Sequence, residues 1–287
     1  MANRKREAGR EAIAAKGVWR SHRWLVARRS VQFAVLTLFL SGPWFGVWIL
    51  RGDYSGSMLF GTVPLTDPLL VLQSLASGHL PGVLTLVGAL LLTGFYACVG
   101  KRLFCGWVCP VNPLTDLAAW LRRRYDITPT ASLPRGLRYV LLAFVLIGSA
   151  ATGTLIWEAI NPVSFTGRGL IFGFGGGLWL LLALFLFDLL VVERGWCGHL
   201  CPLGALYGLT SAKGGLTFSA EGRARCNRCM DCFHVCPEPH VLRAPLLDDN
   251  APAHIRHRDC MTCGRCADVC AESVFKITTR WSSGAKS

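Results

Sequence analysis

Few residues of this sequence are charged, and the motifs that attach haem or bind a dinucleotide are missing. Only 16% of the 287 residues are charged, whereas 52% are hydrophobic. There is no C-x-x-C-H, and no G-x-G-x-x-G follows a predicted strand. All seven histidines lie outside the long apolar runs, which argues against a buried haem with two histidine ligands. We therefore expect no haem, flavin or NAD.

Cysteine, in contrast, is abundant, and eight of the thirteen cysteines form two identical C-x2-C-x2-C-x3-C runs near the C-terminus. Bacterial two-cluster ferredoxins have this spacing, and the fourth cysteine of each run binds the cluster of the other run. Zinc sites usually pair C-x2-C with a second pair after a longer gap, so two [4Fe–4S] clusters are favoured. The predicted ligand sets are Cys226, Cys229, Cys232 and Cys270 for one cluster, and Cys260, Cys263, Cys266 and Cys236 for the other.

The two runs predict a small α+β ferredoxin-like domain over residues 213–287. Short strands at Gly215–Ser219 and Val274–Thr278 are expected to flank the cysteines. Pro237 follows the first run as usual, but Ala271 replaces proline after the second run. This difference changes a local turn and removes no ligand.

Upstream of this domain, four apolar stretches are long enough to cross about 30 Å of hydrocarbon. The predicted spans are residues 31–50, 81–100, 139–157 and 170–192. The segments between and around these spans differ sharply in their number of Lys and Arg residues. In chain order, the N-terminal segment 1–30 has nine, the first loop one, the second loop seven, the third loop one and the C-terminal tail twelve. This alternation predicts a multi-pass protein of the bacterial inner membrane, with both termini and the ferredoxin-like domain cytoplasmic. It also explains the net charge of +13 without a nucleic-acid partner.

The membrane region, residues 31–212, contains an internal repeat. The motif C-G-x-x-C-P occurs at residues 105–110 and again at 197–202, after the second and fourth predicted spans. We interpret the four helices as two repeated hairpins. The paired cysteines are Cys105 and Cys109, and Cys197 and Cys201. A third cluster, a zinc site, a redox dithiol and a purely structural turn all remain open for these four thiols.

Together with these motifs, several stretches resemble the NapH/MauN-like family of ferredoxin-type membrane proteins. They include Leu40-Ser-Gly-Pro-Trp-Phe-Gly-Val-Trp, Val63-Pro-Leu-Thr-Asp-Pro and the closing Arg280-Trp-Ser-Ser-Gly-Ala-Lys-Ser. The resemblance implies a quinol dehydrogenase component of a periplasmic nitrate reductase system. It further implies ubiquinol or menaquinol from the membrane pool as the substrate. The implied partners are a NapG-like periplasmic iron–sulfur protein, a multihaem cytochrome and the nitrate reductase.

Quinol oxidation requires a group that accepts protons beside an apolar slot. The weak candidates are Asp188 in the fourth span, Glu158 after the third, and His79 in the first outer loop. Trp157 is expected to anchor the third span at the membrane surface. A competing hypothesis is an assembly or regulatory membrane polyferredoxin that supports maturation of a respiratory metalloenzyme, and another is a membrane anchor with purely structural clusters.

Overall fold

The computed structural model describes residues 7–128, 130–173, 175–248 and 250–279. A helical part precedes a small C-terminal part with a two-stranded sheet. The helices of the first part are α1 (Arg10–Phe45), α2 (Pro68–Ala76), α3 (Val83–Val99), α4 (Asn112–Tyr125), α5 (Leu137–Thr152), α6 (Pro162–Phe172), α7 (Gly177–Leu186) and α8 (Pro202–Thr210). The C-terminal part contains β4 (Leu216–Ser219), α9 (Asp231–Val235), α10 (Arg243–Leu247), α11 (Arg265–Val269) and β5 (Lys276–Thr279).

Helix α1 is the one described helix that is long and apolar enough to cross a membrane by length and composition. Shorter apolar helices lie at Val83–Val99, Leu137–Thr152 and Gly177–Val191, the last continuing α7 through a π-helical turn. Four full spans therefore remain an expectation. Helix α1 extends upstream of the first predicted span, from Arg10, and ends at Phe45, five residues before the predicted end of that span. Gly46, at φ 72°, ends the helix in the left-handed conformation that glycine adopts freely.

The third and fourth predicted spans also differ from the structure. Helix α5 ends at Thr152, five residues before the predicted end, with Gly153 at φ 66° as its C-cap. The fourth stretch is not one helix, because α6 ends at Phe172 and α7 begins at Gly177. Gly173 and Gly175 have φ of 93° and 40°, a conformation that breaks a right-handed helix. The hydropathy of residues 170–192 identified an apolar stretch but could not show that the helix is interrupted between Phe172 and Gly177.

Two short helices begin in the same way, each at a proline preceded by a capping side chain. Asp67 accepts a hydrogen bond from Leu69 N at 2.8 Å at the start of α2. Asn161 accepts one from Val163 N at 3.1 Å at the start of α6. Proline suits the first helical position because that N–H has no intrahelical partner. An antiparallel sheet of β1 (Leu50–Gly52), β2 (Gly56–Leu59) and β3 (Val63–Thr66) leads into α2.

The C-terminal part has the predicted strand pair. Strands β4 and β5 are antiparallel, with Leu216 opposite Thr279 and Ser219 opposite Lys276. Each lies within two residues of its predicted position. One buried core belongs to this part and contains Phe218, Leu242 and Ile255 beside the cysteines. A second core fills the helical part around Tyr96, Phe104 and Tyr207. The two cores meet at the C-G-x-x-C-P motifs, where the candidate site lies.

Candidate iron–sulfur and thiol site

Two cavities of the C-terminal part are each lined by four cysteines. The first contains Cys226, Cys229, Cys232 and Cys270. The second contains Cys236, Cys260, Cys263 and Cys266. Phe233, Leu246 and Phe275 complete the wall of the first, and Phe218, Val241 and Ile255 that of the second. In both cavities, the fourth cysteine of one run therefore lies beside the first three of the other.

The spacing and electrostatics of these thiols fit a polynuclear centre better than one zinc ion. Tetrahedral zinc with Zn–S bonds of 2.3 Å places its sulfurs about 3.8 Å apart. In the described part of the chain, no three cysteines have all their sulfur atoms within 4.8 Å of one another. The one described group of His, Cys, Asp or Glu residues that meets this limit is His240, His257 and Asp259. Burial and the neighbouring thiols raise the pKa of Cys232 to about 12 and that of Cys260 to about 11. Bound iron would offset this repulsion between thiolates.

The two C-G-x-x-C-P motifs share one backbone geometry. Each is preceded by an arginine in the left-handed region, Arg102 at φ 44° and Arg194 at φ 52°. A π-helical turn follows, Phe104–Val108 in the first motif and Trp196–Leu200 in the second. Left-handed backbone is costly for a residue with a side chain, so the surrounding structure must hold it in place. Both guanidinium groups are buried in ion pairs that provide this support.

The four motif thiols lie close enough to influence one another. Burial and the thiols of Cys105 and Cys201 raise the pKa of Cys109, and burial and Cys105 raise that of Cys201 to about 12. Thr115, in the helix that follows the first motif, has Oγ1 3.7 Å from Cys197 Sγ of the second. The structure thus brings the two cysteine pairs together, as their spacing predicts.

The second cysteine run of the ferredoxin-like part packs directly on the first C-G-x-x-C-P motif. A Cβ on Gly106 would lie 3.0 Å from Met261 O and 3.5 Å from Cys263 Cβ, so a glycine permits this approach. Trp107 Nε1 donates a hydrogen bond to Thr262 O at 3.1 Å, and Thr262 Oγ1 donates one to Lys101 O at 3.2 Å. This contact explains the glycine of the motif, which the sequence alone did not.

A buried ion network joins the same two parts and was missed at the sequence level. Glu238 Oε1 accepts hydrogen bonds from Arg102 Nη1 at 3.0 Å and Arg138 Nη1 at 2.7 Å. Arg138 Nη2 also lies 2.6 Å from Asp259 Oδ1. Although burial opposes ionisation, the hydrogen bond from His240 and the charge of Arg138 hold the pKa of Asp259 below its usual value. Glu238 is 100 or more positions away from both arginines, so no local pattern connects them. The one sequence signal was that Arg102 and Arg194 occupy equivalent positions, three residues before the first cysteine of each motif.

The quinol-site candidates lie apart from one another. His79 is exposed, and its Nδ1 is 3.2 Å from Ser77 Oγ. Asp188 is buried, and its Oδ1 accepts a hydrogen bond from Trp196 N at 2.9 Å. Glu158 Oε1 accepts hydrogen bonds from Ser55 Oγ at 2.8 Å and Arg168 Nη2 at 2.9 Å. No single site contains the three.

Asp67, which caps α2, and Gln73, within that helix, are buried polar residues near Glu158 and Trp157 respectively. Burial raises the pKa of Asp67 to about 7, and the charge of Glu158 adds to the rise. Gln73 Oε1 accepts a hydrogen bond from Trp157 N at 2.9 Å. A polar residue inside the apolar run of α2 was the sequence signal for Gln73. Trp157 is 3% exposed, so its predicted role as a surface anchor is wrong.

Comparison with known proteins identifies the family of this chain. The ferredoxin-type protein NapH of Escherichia coli is 70% identical over 287 residues, all of both chains. NapH of Haemophilus influenzae is 53% identical over 98% of each chain. The methylamine utilization ferredoxin-type protein MauN of Methylorubrum extorquens is 45% identical over 94% of each. The chain belongs to the NapH/MauN family of ferredoxin-type proteins.

Family models place iron–sulfur binding on both cysteine-rich regions. A 4Fe-4S binding domain matches residues 80–128 and 172–219, which contain the two C-G-x-x-C-P motifs. A 4Fe-4S dicluster domain matches residues 220–271, which contain the eight ferredoxin cysteines. No solved structure gives a significant match. This NapH/MauN-like chain is therefore a ferredoxin-type iron–sulfur electron-transfer protein.

Proposed function

We propose that the protein is a membrane subunit that takes electrons from ubiquinol or menaquinol. With a NapG-like iron–sulfur partner and a multihaem cytochrome, it would pass them towards a periplasmic nitrate reductase. The observation that carries this proposal is the seating of the second cysteine run on the first C-G-x-x-C-P motif, through Gly106 and Trp107. The second cysteine run of the ferredoxin-like part therefore lies beside the cysteines that follow the apolar helices. The NapH relatives, with names that denote a ferredoxin type, support the redox role.

The residues that would hold the clusters follow from the two cavities. Cys226, Cys229, Cys232 and Cys270 line one, and Cys236, Cys260, Cys263 and Cys266 line the other. When bound, a [4Fe–4S] cluster supplies a one-electron couple. The protein holds the thiols in an apolar wall, and Val274 N donates a hydrogen bond to Cys270 Sγ at 3.4 Å. We extend the same assignment to a third centre at Cys105, Cys109, Cys197 and Cys201, because the 4Fe-4S binding domain covers both motifs.

The contacts of α1 support an orientation with both termini in the cytoplasm. Gly9 N donates a hydrogen bond to Asp231 Oδ2 at 2.8 Å, and Lys16 Nζ donates one to Ala267 O at 2.7 Å. The basic N-terminal segment and the ferredoxin-like part therefore lie on one face. The alternation of Lys and Arg along the loops assigns that face to the cytoplasm.

Proton release in this proposal takes place at the opposite end of the apolar helices. A general base works best with a pKa near the operating pH, and Asp67 has a pKa of about 7. Glu158 lies within electrostatic reach of Asp67 and is held by Ser55 and Arg168. Of the original candidates, Glu158 fits best with Asp67, because His79 is exposed and apart from them.

The test is quinol oxidation by the iron-loaded protein in liposomes with its NapG-like partner. EPR should show that a reduced quinol analogue reduces a cluster, and Asp67→Asn should slow this reduction without changing iron content. Oxidised clusters that stay oxidised in excess quinol, with the partner present, would refute the proposal.

The assembly alternative predicts a different phenotype for Cys229→Ser. Under our proposal the nitrate reductase retains its own cofactors and accepts electrons from an artificial donor, but not from quinol. A reductase that lacks its cofactors in this strain would favour the assembly role instead.

A further inference from the structure

A cavity of about 510 Å³ lies between α1, α4 and the ferredoxin-like part, outside both cysteine cavities. Its wall contains an unusual concentration of arginines from four separate regions of the chain. They are Arg28, Arg29, Arg123, Arg194 and Arg265. The cavity is as large as many small-molecule sites, and none of the roles described above uses it.

The carboxylates at this cavity do not balance its arginines. Asp268 lines it but is occupied by the backbone N–H groups of Trp24 and Leu25, at 3.1 and 2.9 Å. Asp116 alone faces four of the guanidinium groups, with N···O distances of 2.6 Å to Arg29 and Arg265, 3.0 Å to Arg194 and 3.5 Å to Arg28. Although burial opposes ionisation, these four charges hold the pKa of Asp116 below its usual value. One carboxylate cannot satisfy so many donors.

Several guanidinium N–H groups are consequently buried without an acceptor. They are Nε and Nη1 of Arg28, Nη1 of Arg123, Nε of Arg194 and Nη1 of Arg265. Arg28 is 1% exposed, so its guanidinium group is reached through this cavity rather than from the outer surface. Buried donors are nearly always satisfied in native proteins, and a cluster of exceptions indicates an absent ligand or ion. Arg265 also lines the second cysteine cavity.

Apart from Ser21 and His22, the rest of the cavity wall is apolar. Ile13 and Leu25 lie on the α1 side, and Leu117 and Trp120 lie on α4. Leu117 is 47% exposed and Trp120 is 52% exposed, so the mouth of the cavity is hydrophobic. A ligand with an anionic head and an apolar body would match both surfaces.

We propose that this cavity binds a phosphate group, and that its occupant is the headgroup of an anionic phospholipid. Guanidinium groups bind phosphate oxygens in bidentate fashion, and basic pockets on the cytoplasmic side of membrane proteins commonly receive such headgroups. The hydrophobic mouth favours a lipid over free phosphate, which offers the same chemistry to the arginines. A phosphate here would give the orphaned N–H groups acceptors and join α1, α4 and the ferredoxin-like part.

The experiment measures lipid binding to the purified, iron-loaded, full-length protein by native mass spectrometry in detergent. Cardiolipin and phosphatidylcholine are compared, and inorganic phosphate is added as a competitor in a separate arm. We expect cardiolipin to bind about tenfold more tightly than the zwitterionic lipid. If free phosphate binds and neither lipid does, the cavity is a phosphate site, but its occupant is soluble phosphate and the lipid part of the proposal is refuted.

Arg123→Gln is the test variant, and Arg124→Gln is its matched control. Arg123 lines the cavity with an orphaned Nη1, whereas its neighbour Arg124 is exposed on the same helix. We expect Arg123→Gln to weaken cardiolipin binding about tenfold, the effect of one charged hydrogen bond, and Arg124→Gln to leave it unchanged. Cluster absorbance reports whether each variant folds.

Two results would overturn the proposal. One is wild-type protein that binds cardiolipin and phosphatidylcholine equally and shows no effect of phosphate. The other is an equal loss of binding in Arg123→Gln and Arg124→Gln, which would indicate a diffuse surface charge. The first comparison needs no variant, so it decides the matter even if Arg123→Gln does not fold.

Discussion

Replacement of Glu238 by glutamine tests how the ferredoxin-like part is attached to the apolar helices. Glu238 is 2% exposed, and its two closest partners, Arg102 and Arg138, are 1% exposed each. Removal of one partner from a buried ion pair costs roughly 3–5 kcal/mol, because the remaining charge is buried without compensation. Arg138 keeps its 2.6 Å contact with Asp259, so we expect the lower end, about 3 kcal/mol.

The measurement is the midpoint temperature of unfolding in detergent, followed by cluster absorbance. For a chain of this size each kcal/mol shifts the midpoint by roughly 2–4 °C, so Glu238→Gln should lower it by about 6–12 °C. Protease treatment below that temperature should release the C-terminal part from the variant first, because the broken contacts lie between the two parts.

Glu221→Gln is the matched control, since Glu221 is an exposed acid of the same part. It should change the midpoint by less than about 2 °C, as surface substitutions usually do. If Glu238→Gln behaved like this control with full iron content, the ion network would not hold the two parts together. The desolvation argument would then be wrong for this interface.

Three further predictions address the clusters and pH. Arg265→Gln should lower the reduction potential of the cluster held by the second cysteine run by about 70 mV, if the lost charge is taken as roughly 10 Å away at an effective dielectric constant of about 20. Arg243→Gln is the control, because Arg243 is exposed and lines neither cysteine cavity, and it should change neither potential appreciably in an EPR titration. Cys229→Ser and Cys263→Ser should each perturb a different EPR signal, because the two thiols line different cavities; loss of the same signal in both would contradict the crossed ligand sets. The pKa of Asp67 is raised by burial to about 7, so the native state retains a proton that the unfolded state releases, and stability should fall by up to about 4 kcal/mol as pH rises from about 4 to 7. Asp67→Asn should remove this pH-dependent fall in the free energy of unfolding, measured by denaturation at each pH. The variant should keep the helix cap, because Asn161 caps α6 at the matching position. A pH profile unchanged by the substitution would show that Asp67 is ionised throughout.

The sequence predicted local features well and distant contacts poorly. The strand pair β4–β5 and the grouping of the eight ferredoxin cysteines followed from spacing, because each depends on neighbours in the chain. The break between α6 and α7 was missed because hydropathy counts apolar residues and ignores the positive φ of Gly173 and Gly175. The ion network around Glu238 was also beyond reach. Its partners are 100 to 136 positions away, and no pattern in one sequence connects them.

The positions of the aromatic residues change the problem of how electrons reach the far side of the membrane. The bilayer core is about 30 Å thick, too far for one efficient step from a cytoplasmic cluster. Trp157, from the end of the molecule expected outside, stacks on Trp196, directly before the second C-G-x-x-C-P motif, with ring centroids 6.0 Å apart and an interplanar angle of 13°. The backbone N–H of Trp157 bonds to Gln73 of α2, so the outer connections fold inward to meet the motif.

A redox centre at the four motif thiols would therefore be separated from these outer connections by little more than the stacked rings of Trp157 and Trp196. Tyr54, from the β1–β2 turn, packs against the same core as Cys109, which places a second outer segment at this depth. The long step is then divided between the C-terminal cavities, the motif thiols and a partner docked outside. This division predicts that Cys109→Ser blocks electron transfer to the partner while both C-terminal clusters remain reducible by dithionite. Normal transfer in that variant would exclude the motif thiols from the path.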